Sequence, residues 1–535
     1  MNLWNRFCYY GLYLQPVTAY LIYKFLEYND HLRDMTISEI LTWLLVSLLP
    51  SFYMFTFNDT ARKNGKKTFS PLDIFESKKS SYYLSTTKTN AKYPELNSVL
   101  LKNNPRGIVF GKSKDKYVCK DINEDGHIFL IGGSGSGKSS CLVIPTLLVN
   151  PDTRVFATDI KGELHNKASK CGNPKDLIFD PQDRNSCGYD PFYALDDESR
   201  EQDILEMMQN ITFSLIPLSP STKDPFWINS ARNMLCGTLI YLYQSGIHNL
   251  VEIIDTILSK PIGELIESII SDTDPSKACF RYLIQFNNMP DETRTGVFSE
   301  MANHIMIFSN DQDIRYALRD NPMKITPKML NEGYSIYLSI SESKLEAYRD
   351  LMMLIYNQVF IEMEKRSEDS EPVLIIMDEL PRVLSAGKLE HLLDGIRTLR
   401  SRKVTLFLIT QSIEALMNAY TENEVADLIS NCPYIVVLSA SSVKTQEAII
   451  SWCGRYYEKK TSFNQGYKSN SKGTAYEKEN IIEGSDLMTL PLTNEAILIT
   501  PYGYSRIKKT PYYKDEYFKK LSDEIITYNK TINEM

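Results

Sequence analysis

Residues 132–139 read Gly-Gly-Ser-Gly-Ser-Gly-Lys-Ser, and that string restricts the fold more tightly than anything else in the chain. Its spacing, G-x-x-x-x-G-K-[ST], belongs on a tight turn between a buried strand and a helix. The glycines let successive backbone N–H groups converge on phosphate oxygens, and the positive end of the following helix adds to the attraction. The flanks supply that setting: an apolar run, 127–131, comes before, and a helix through Leu142 and Ile144 can follow. Gly132, Gly133, Ser134, Gly135, Ser136, Gly137, Lys138, Ser139 and Ser140 are therefore the expected nucleotide-binding residues. Lys138 is expected to reach the β- and γ-phosphates of ATP, and Ser139 to ligate Mg²⁺.

A site of this kind also requires a carboxylate at the end of a neighbouring strand, holding Mg²⁺ through water. Residues 373–379, Val-Leu-Ile-Ile-Met-Asp-Glu, provide five apolar residues and then two acids. Asp378 is the expected metal-side acid and Glu379 the expected general base for the attacking water. Residues 406–412, Leu-Phe-Leu-Ile-Thr-Gln-Ser, form another buried run with a polar end. Gln411 there is either a sensor of the γ-phosphate or a plain polar strand terminus. Between these segments stand Arg397, Arg400, Arg402 and Lys403. They read as a solvated helix face, as a cation aimed at a neighbouring subunit's γ-phosphate, or as a DNA contact.

The organisation around these motifs is α/β. Apolar runs at 127–131, 154–158, 177–179, 336–340, 373–377, 404–409, 435–438 and 496–499 do not alternate strictly. That is expected of parallel strands covered on both faces. Helix patterns follow one another at 201–215, 227–244, 250–258, 262–270, 278–286 and 293–307, with no strand among them. From Lys138 to Asp378 is 378 − 138 = 240 residues, far more than a few βα units need, so an all-helical insertion is expected to fill the interval. The expected divisions are 1–63 as membrane anchor, 64–195 as linker and first part of the nucleotide-binding domain, 196–321 as the helical insertion, and 322–535 as the second part. Residues 459–480, poor in aliphatics, read as a mobile surface loop.

Residues 7–23 and 40–57 carry no charge, and each approaches the length needed to cross a bilayer as a helix. Asp30, Arg33 and Asp34 lie in a net-acidic stretch between them, and Arg62, Lys63, Lys66 and Lys67 follow. The positive-inside rule then places both ends and the bulk of the chain in the cytoplasm, as a multi-pass protein of the inner (cytoplasmic) membrane. No small-residue cleavage site follows the first run, which argues against a signal peptide. The formal net charge is −8, so contact with nucleic acid should be confined to a pore or groove. Nine cysteines without a C-x-x-C pair exclude a zinc site and a disulfide framework, and point to buried thiols in a reducing compartment.

Taken together, several segments resemble the type IV secretion coupling proteins, the P-loop ATPases of conjugal DNA transfer. They are the two apolar N-terminal runs, the 132–139 string continuing into Ile-Pro-Thr-Leu-Leu at 144–148, Asp-Ile-Lys-Gly-Glu at 159–163, Asp180-Pro181, Asp-Pro-Phe-Trp at 224–227, Asp378-Glu379-Leu380, Gln411-Ser412, and the closing Pro501 to Tyr513. The resemblance implies a RecA-like motor domain with an all-α inserted domain and two N-terminal transmembrane helices. It further implies a homohexamer around a channel, and ATP hydrolysis that exports single-stranded DNA bound to its relaxase into the secretion channel. The family's trans-acting arginine falls nearest Arg400, with Arg397 as the alternative, and near the carboxyl edge of the sheet. Ile160 departs from the family, which often has proline there. A motor for protein effectors and a docking platform with incidental ATPase activity are the competing readings. An ABC transporter subunit is excluded by the lack of an L-S-G-G-Q signature.

Overall fold

The computed structural model describes residues 96–169, 173–218, 222, 224–466 and 469–533, together with Tyr20. Apart from Tyr20, these residues belong to the second of the two units into which the chain divides, Thr86–Met535. The membrane-spanning expectation falls on 7–23 and 40–57, which lie outside the described residues except for Tyr20. Among the described residues, no helix is long and apolar enough to cross a membrane.

Every apolar run expected to be a strand forms one, within two residues at either end. In chain order the strands are β1 (Leu101–Lys102), β2 (Ile108–Ser113), β3 (Lys116–Lys120), β4 (Ile128–Ile131), β5 (Arg154–Thr158), β6 (Asp176–Phe179), β7 (Gly188–Tyr189) and β8 (Lys324–Ile325). They continue as β9 (Ser335–Leu338), β10 (Val373–Met377), β11 (Val404–Thr410), β12 (Tyr434–Val437), β13 (Arg455–Gly466), β14 (Ser469–Asn480), β15 (Glu495–Thr500) and β16 (Gly503–Lys508). Twelve of them build one sheet in the order β1-β3-β2-β16-β15-β12-β4-β11-β10-β5-β9-β6. From β12 to β6 every neighbouring pair is parallel. Successive residues feed two different cores: Phe129, Ile375 and Leu408 face one, and Leu130, Ile376 and Phe407 the other. Burial on both faces is why these segments show no alternation in sequence.

Two expectations are corrected. Residues 496–499 do not run parallel to their neighbour. β15 pairs antiparallel with β12, Ile435 opposite Ile499, and folds back on β16 through a tight turn. Ile497 and Ile499 enter one core and Ala496 and Leu498 the other, so its composition matches that of a parallel strand and hides its direction. The expected loop at 459–480 is instead part of a two-stranded ribbon, β13 with β14, laddered from Arg455–Asn480 to Gly466–Ser469. The ladder pairs the inward-facing backbone groups of the two strands and leaves the others to solvent, so the ribbon needs no aliphatic run and low apolar content did not reveal it.

The helices that bear on the site are α1 (Ile144–Leu148), α2 (Glu163–Ala168), a run of six, α3 (Glu201–Leu215), α4 (Pro225–Gln244), α5 (Leu250–Leu258), α6 (Ile262–Asp272), α7 (Ala278–Asn287) and α8 (Asp291–Asn310), then α9 (Arg349–Glu364), α10 (Leu380–Val383) and α11 (Glu390–Thr398). The run of six leaves the chain after β7 and returns at β8, and those two short strands pair in parallel at its root. Asp224 and Asn249 accept backbone N–H groups at the starts of α4 and α5, as helix-capping residues do. Just past α3, Pro217 packs against Gly387, and Leu218 O accepts the Lys388 N–H at 3.4 Å. All seven described cysteines are free and buried.

His127 pins the entrance to β4. Its Nδ1 accepts the Leu406 N–H at 3.0 Å, and its Nε2 lies 3.0 Å from the Ile396 carbonyl oxygen, which fixes the proton on Nε2. Burial pushes its pKa down to about 4, helped by the charges of Lys120 and Arg400 and opposed by the Ile396 hydrogen bond. The unfolded imidazole titrates near 6.5. Between about pH 6.5 and 4 the unfolded chain therefore binds the extra proton, and stability falls as pH drops through that window, by roughly 3 kcal/mol at most. Urea unfolding at pH 7.5 and pH 5 should show this loss. His127→Leu should lack that component, while costing at pH 7.5 about 1–3 kcal/mol for each backbone partner left unpaired.

Candidate nucleotide site

The phosphate-binding string occupies the turn between β4 and α1. Gly132 N–H donates to Thr410 O at 3.0 Å, which ties the start of the turn to the end of β11. Gly135 and Gly137 have φ of +73° and +95°, where a side chain would be strained. A Cβ on Gly137 would meet Cys141 Sγ at 2.7 Å, and one on Gly132 would meet Ser136 Oγ at 2.5 Å. Backbone conformation thus favours glycine at 135 and 137, and at 132 and 137 a side chain would also have to displace Ser136 or Cys141. The turn then runs into a π-turn, Ser139–Val143, and α1.

Because β4, β11, β10, β5 and β9 are neighbours and parallel, the residues after their carboxyl ends collect on one edge. These are the turn itself, Gln411, Asp378 and Glu379, Asp159, and the segment holding Glu342. They line a single cavity of about 390 Å³ with Lys161, Glu163 and Arg382. Lys138 Nζ donates to Gly132 O at 3.1 Å and to Glu379 Oε1 at 2.9 Å. Gln411 Nε2 donates to Glu379 Oε2 at 3.0 Å. Glu379 thus holds the lysine with one oxygen and the glutamine with the other. Its backbone is left-handed, φ +54°, a conformation that costs a non-glycine residue about 1–3 kcal/mol and that clusters at functional sites.

The two acids differ in ionisation. Burial raises the Asp378 carboxyl to about 6; Lys138 opposes the shift, while Glu379 and Asp159 add to it. Burial also works against Glu379, but its hydrogen bond to Lys138, the lysine charge and the Gln411 amide bring it below the ordinary glutamate value. Asp159, buried after β5, accepts the His165 N–H at 2.9 Å, and burial raises its carboxyl despite that bond. Lys509 donates to Ser136 O at 2.7 Å from behind the turn.

The donor set fits a triphosphate with Mg²⁺. Ser136 Oγ is buried at the turn without a hydrogen-bond partner, an unmet polar atom where a phosphate oxygen would lie. Ser139 and Asp378 both line the cavity and offer oxygens that a Mg²⁺ would accept. Among the described residues no group of three or more His, Cys, Asp or Glu side chains could hold a metal alone. A Mg²⁺ here must share its shell with phosphate oxygens and water, as Mg²⁺ commonly does.

Gly133, Ser134, Gly135, Ser136, Gly137, Lys138, Ser139, Ser140, Asp378, Glu379 and Gln411 are brought together in this one cavity, and Gly132 supplies the carbonyl beneath Lys138. Arg400 and Arg397 do not line it. Arg400 precedes β11, so it sits at the amino ends of the parallel strands, with Nε 3.8 Å from Asp125, and not near the carboxyl edge as expected. Arg397 pairs with Asp427 at 2.5 Å. Asp159, Lys161, Glu163, Glu342, Arg382 and Lys509 were given no site role on sequence. The available signal for Asp159 was its position directly after an apolar run, where parallel strands deliver their functional residues.

The family model for type IV secretory system conjugative DNA transfer matches residues 80–534. Protein VirD4 of Agrobacterium fabrum is 22% identical over 443 residues, covering 78% of this chain and 64% of that protein. Protein VirD4 of Rhizobium rhizogenes is 22% identical over 439 residues, with the same coverage of 78% and 64%. The chain thus spans under two thirds of the length of these relatives. Among solved structures, the bacterial conjugative coupling protein TrwBdeltaN70 superimposes with a TM-score of 0.59 at 17% identity, covering 72% of this chain and 84% of that one. The plasmid coupling protein TrwB in complex with ADP and Mg²⁺ gives 0.55 at 17% identity, covering 72% and 85%. Likeness at that identity is likeness of fold.

The Lys138–Glu379 pair makes one outcome directional. A carboxylate 2.9 Å from Lys138 competes with phosphate for it. Glu379→Gln should therefore bind a non-hydrolysable ATP analogue about two- to tenfold more tightly than the natural chain, and any ATP hydrolysis that the natural chain shows should fall by about 100-fold or more. Calorimetry and a phosphate-release assay check both. Weaker analogue binding would show that Glu379 serves chiefly to position Lys138.

Proposed function

The chain belongs to the type IV secretory system conjugative DNA transfer family, and on that premise we propose that it is a coupling ATPase that drives relaxase-bound single-stranded DNA into a type IV secretion channel. The observation that carries this reading is the meeting of Lys138, Asp378, Glu379 and Gln411 in one cavity. On nucleotide entry, Lys138 exchanges Glu379 for the β/γ-phosphates. Glu379, released on that side and still held by Gln411, is then free to accept a proton from the attacking water. The water oxygen bonds to the γ-phosphorus as the bond to the bridging oxygen breaks, and the electron pair leaves with ADP. Ser139 and Asp378 would hold Mg²⁺, which supplies charge neutralisation on the transferring phosphoryl group.

The wider setting belongs to the same proposal. Residues 7–23 and 40–57 anchor the chain in the cytoplasmic membrane with its bulk in the cytoplasm. Six copies form a ring, and the helices from Glu201 to Asn310 face the substrate. Arg400 precedes β11 and lies at the opposite end of the parallel strands from its own cradle, so it takes no part in its own site, and the trans role proposed for it rests on the family resemblance alone.

Lys138→Ala should abolish ATP hydrolysis and DNA transfer in a protein that still folds and inserts. Single-stranded DNA should stimulate the natural ATPase; an ATPase indifferent to DNA would favour protein as the substrate. Transfer at near-normal levels by the lysine variant would sink the motor reading. Arg400→Ala should be inactive alone and partly rescued by mixing with Lys138→Ala subunits, because some mixed interfaces then pair an intact cradle with an intact arginine. Mixtures that never recover activity would leave Arg400 as a surface cation.

A further inference from the structure

Arg382 stands in the nucleotide cavity itself. Glu379 turns the chain sharply in its left-handed conformation, and Glu379 O accepts the Arg382 N–H at 2.8 Å as α10 begins. That turn returns the third residue after the catalytic acids to the cavity wall. The guanidinium is held by Glu342, Nη2 to Oε1 at 2.8 Å, from the segment that follows β9. The two side chains are 47% and 63% exposed. A pair so open to water is weakly held, so its arginine is readily exchanged for a more concentrated negative charge.

The charges around the cavity say which negative charge that is. Five carboxylates line it, Asp159, Glu163, Glu342, Asp378 and Glu379, against three cations, Lys138, Lys161 and Arg382. Lys138, which goes to the β/γ-phosphates, gives up its ion pair with Glu379 when it does so, and leaves that carboxylate without its cation. An incoming triphosphate adds several negative charges to a wall already short of cations. Arginine presents a planar fork of donors that matches phosphate oxygens, and it stays ionised throughout.

We infer that Arg382 acts in cis on the terminal phosphate, leaving Glu342 when a triphosphate arrives, so that the site distinguishes ATP from ADP through a residue of its own chain. This rests on the ATPase reading above, and it adds a cation to the site without replacing the trans role proposed for Arg400. Charge that develops on the γ-phosphoryl oxygens as the bridging bond breaks falls to the guanidinium, a service that arginines in such sites perform. Glu342 is the parking partner: it holds the arginine inside the cavity while the terminal phosphate is absent.

The test measures binding as well as turnover, on the full chain. Calorimetry of Arg382→Ala should show ADP affinity within about twofold of the natural protein, and affinity for the β,γ-imido analogue of ATP about tenfold weaker, with turnover at least about tenfold lower. Arg382→Lys should recover part of the analogue affinity, and Glu342→Gln should bind the analogue as tightly or more tightly. Mixing Arg382→Ala with Lys138→Ala subunits should give no rescue, since neither subunit then holds a complete site. Equal losses for ADP and the analogue, or no loss for either, would overturn the inference, as would rescue on mixing. If the natural protein proves not to hydrolyse ATP, the ATPase reading falls, and the ratio of ADP to analogue affinity still decides Arg382.

Discussion

The hydrogen-bonded ladder that seats β11 between β4 and β10, parallel to both, is the constraint from which the site follows. Parallel strands deliver their carboxyl ends to the same edge, so the phosphate turn, Gln411 and the Asp378–Glu379 pair arrive as neighbours although 240 residues separate Lys138 from Asp378. The ladder is held in place by burial on both faces. Ile128 and Leu130 enter one core and Phe129 and Ile131 the other, so sliding a strand by one residue would exchange every contact on both sides at once. The precision needed to bring Glu379 within 2.9 Å of Lys138 is thus set by the sheet interior, far from any charge.

What could be read from the sequence were the features whose chemistry is local. The phosphate turn declares itself in eight residues, and the acids after β10 declare themselves through the five apolar residues before them. Whatever depended on where strands lie relative to one another was hidden. Asp159 and Glu342 reach the cavity because β5 lies beside β10 and β9 beside β5, all parallel; Asp159 showed only its place after an apolar run, and nothing in 335–342 alone announces Glu342. Arg382 was closer to legible, three residues after Glu379, but its return to the wall depends on the left-handed backbone at Glu379, which glutamate seldom adopts. Strand direction was the third gap. Arg400 precedes its strand and therefore belongs at the amino edge, an inference available from chain order once β11 is known to run parallel to β4.

The site without nucleotide is a set of mutually satisfied partners. Lys138 has Glu379, Glu379 has Gln411, Arg382 has Glu342, and Asp378 sits in surroundings that favour its proton. Ser136 Oγ, buried in the phosphate turn, has no hydrogen-bond partner. The mutual pairing keeps five carboxylates and three cations together at tolerable energy, and it means that ligand binding proceeds by exchange of partners within a preformed cavity.

The contact between Gly387 and Pro217 has a mechanical consequence. Gly387 lies eight residues beyond Glu379, at the far end of the turn that begins with α10, and Pro217 and Leu218 come just after α3, the first helix of the run of six. The segment that begins with the acid at Glu379 and the residues that follow α3 therefore meet through one close contact and one backbone hydrogen bond, so a change in the path of 379–387 is felt directly at Pro217 and Leu218.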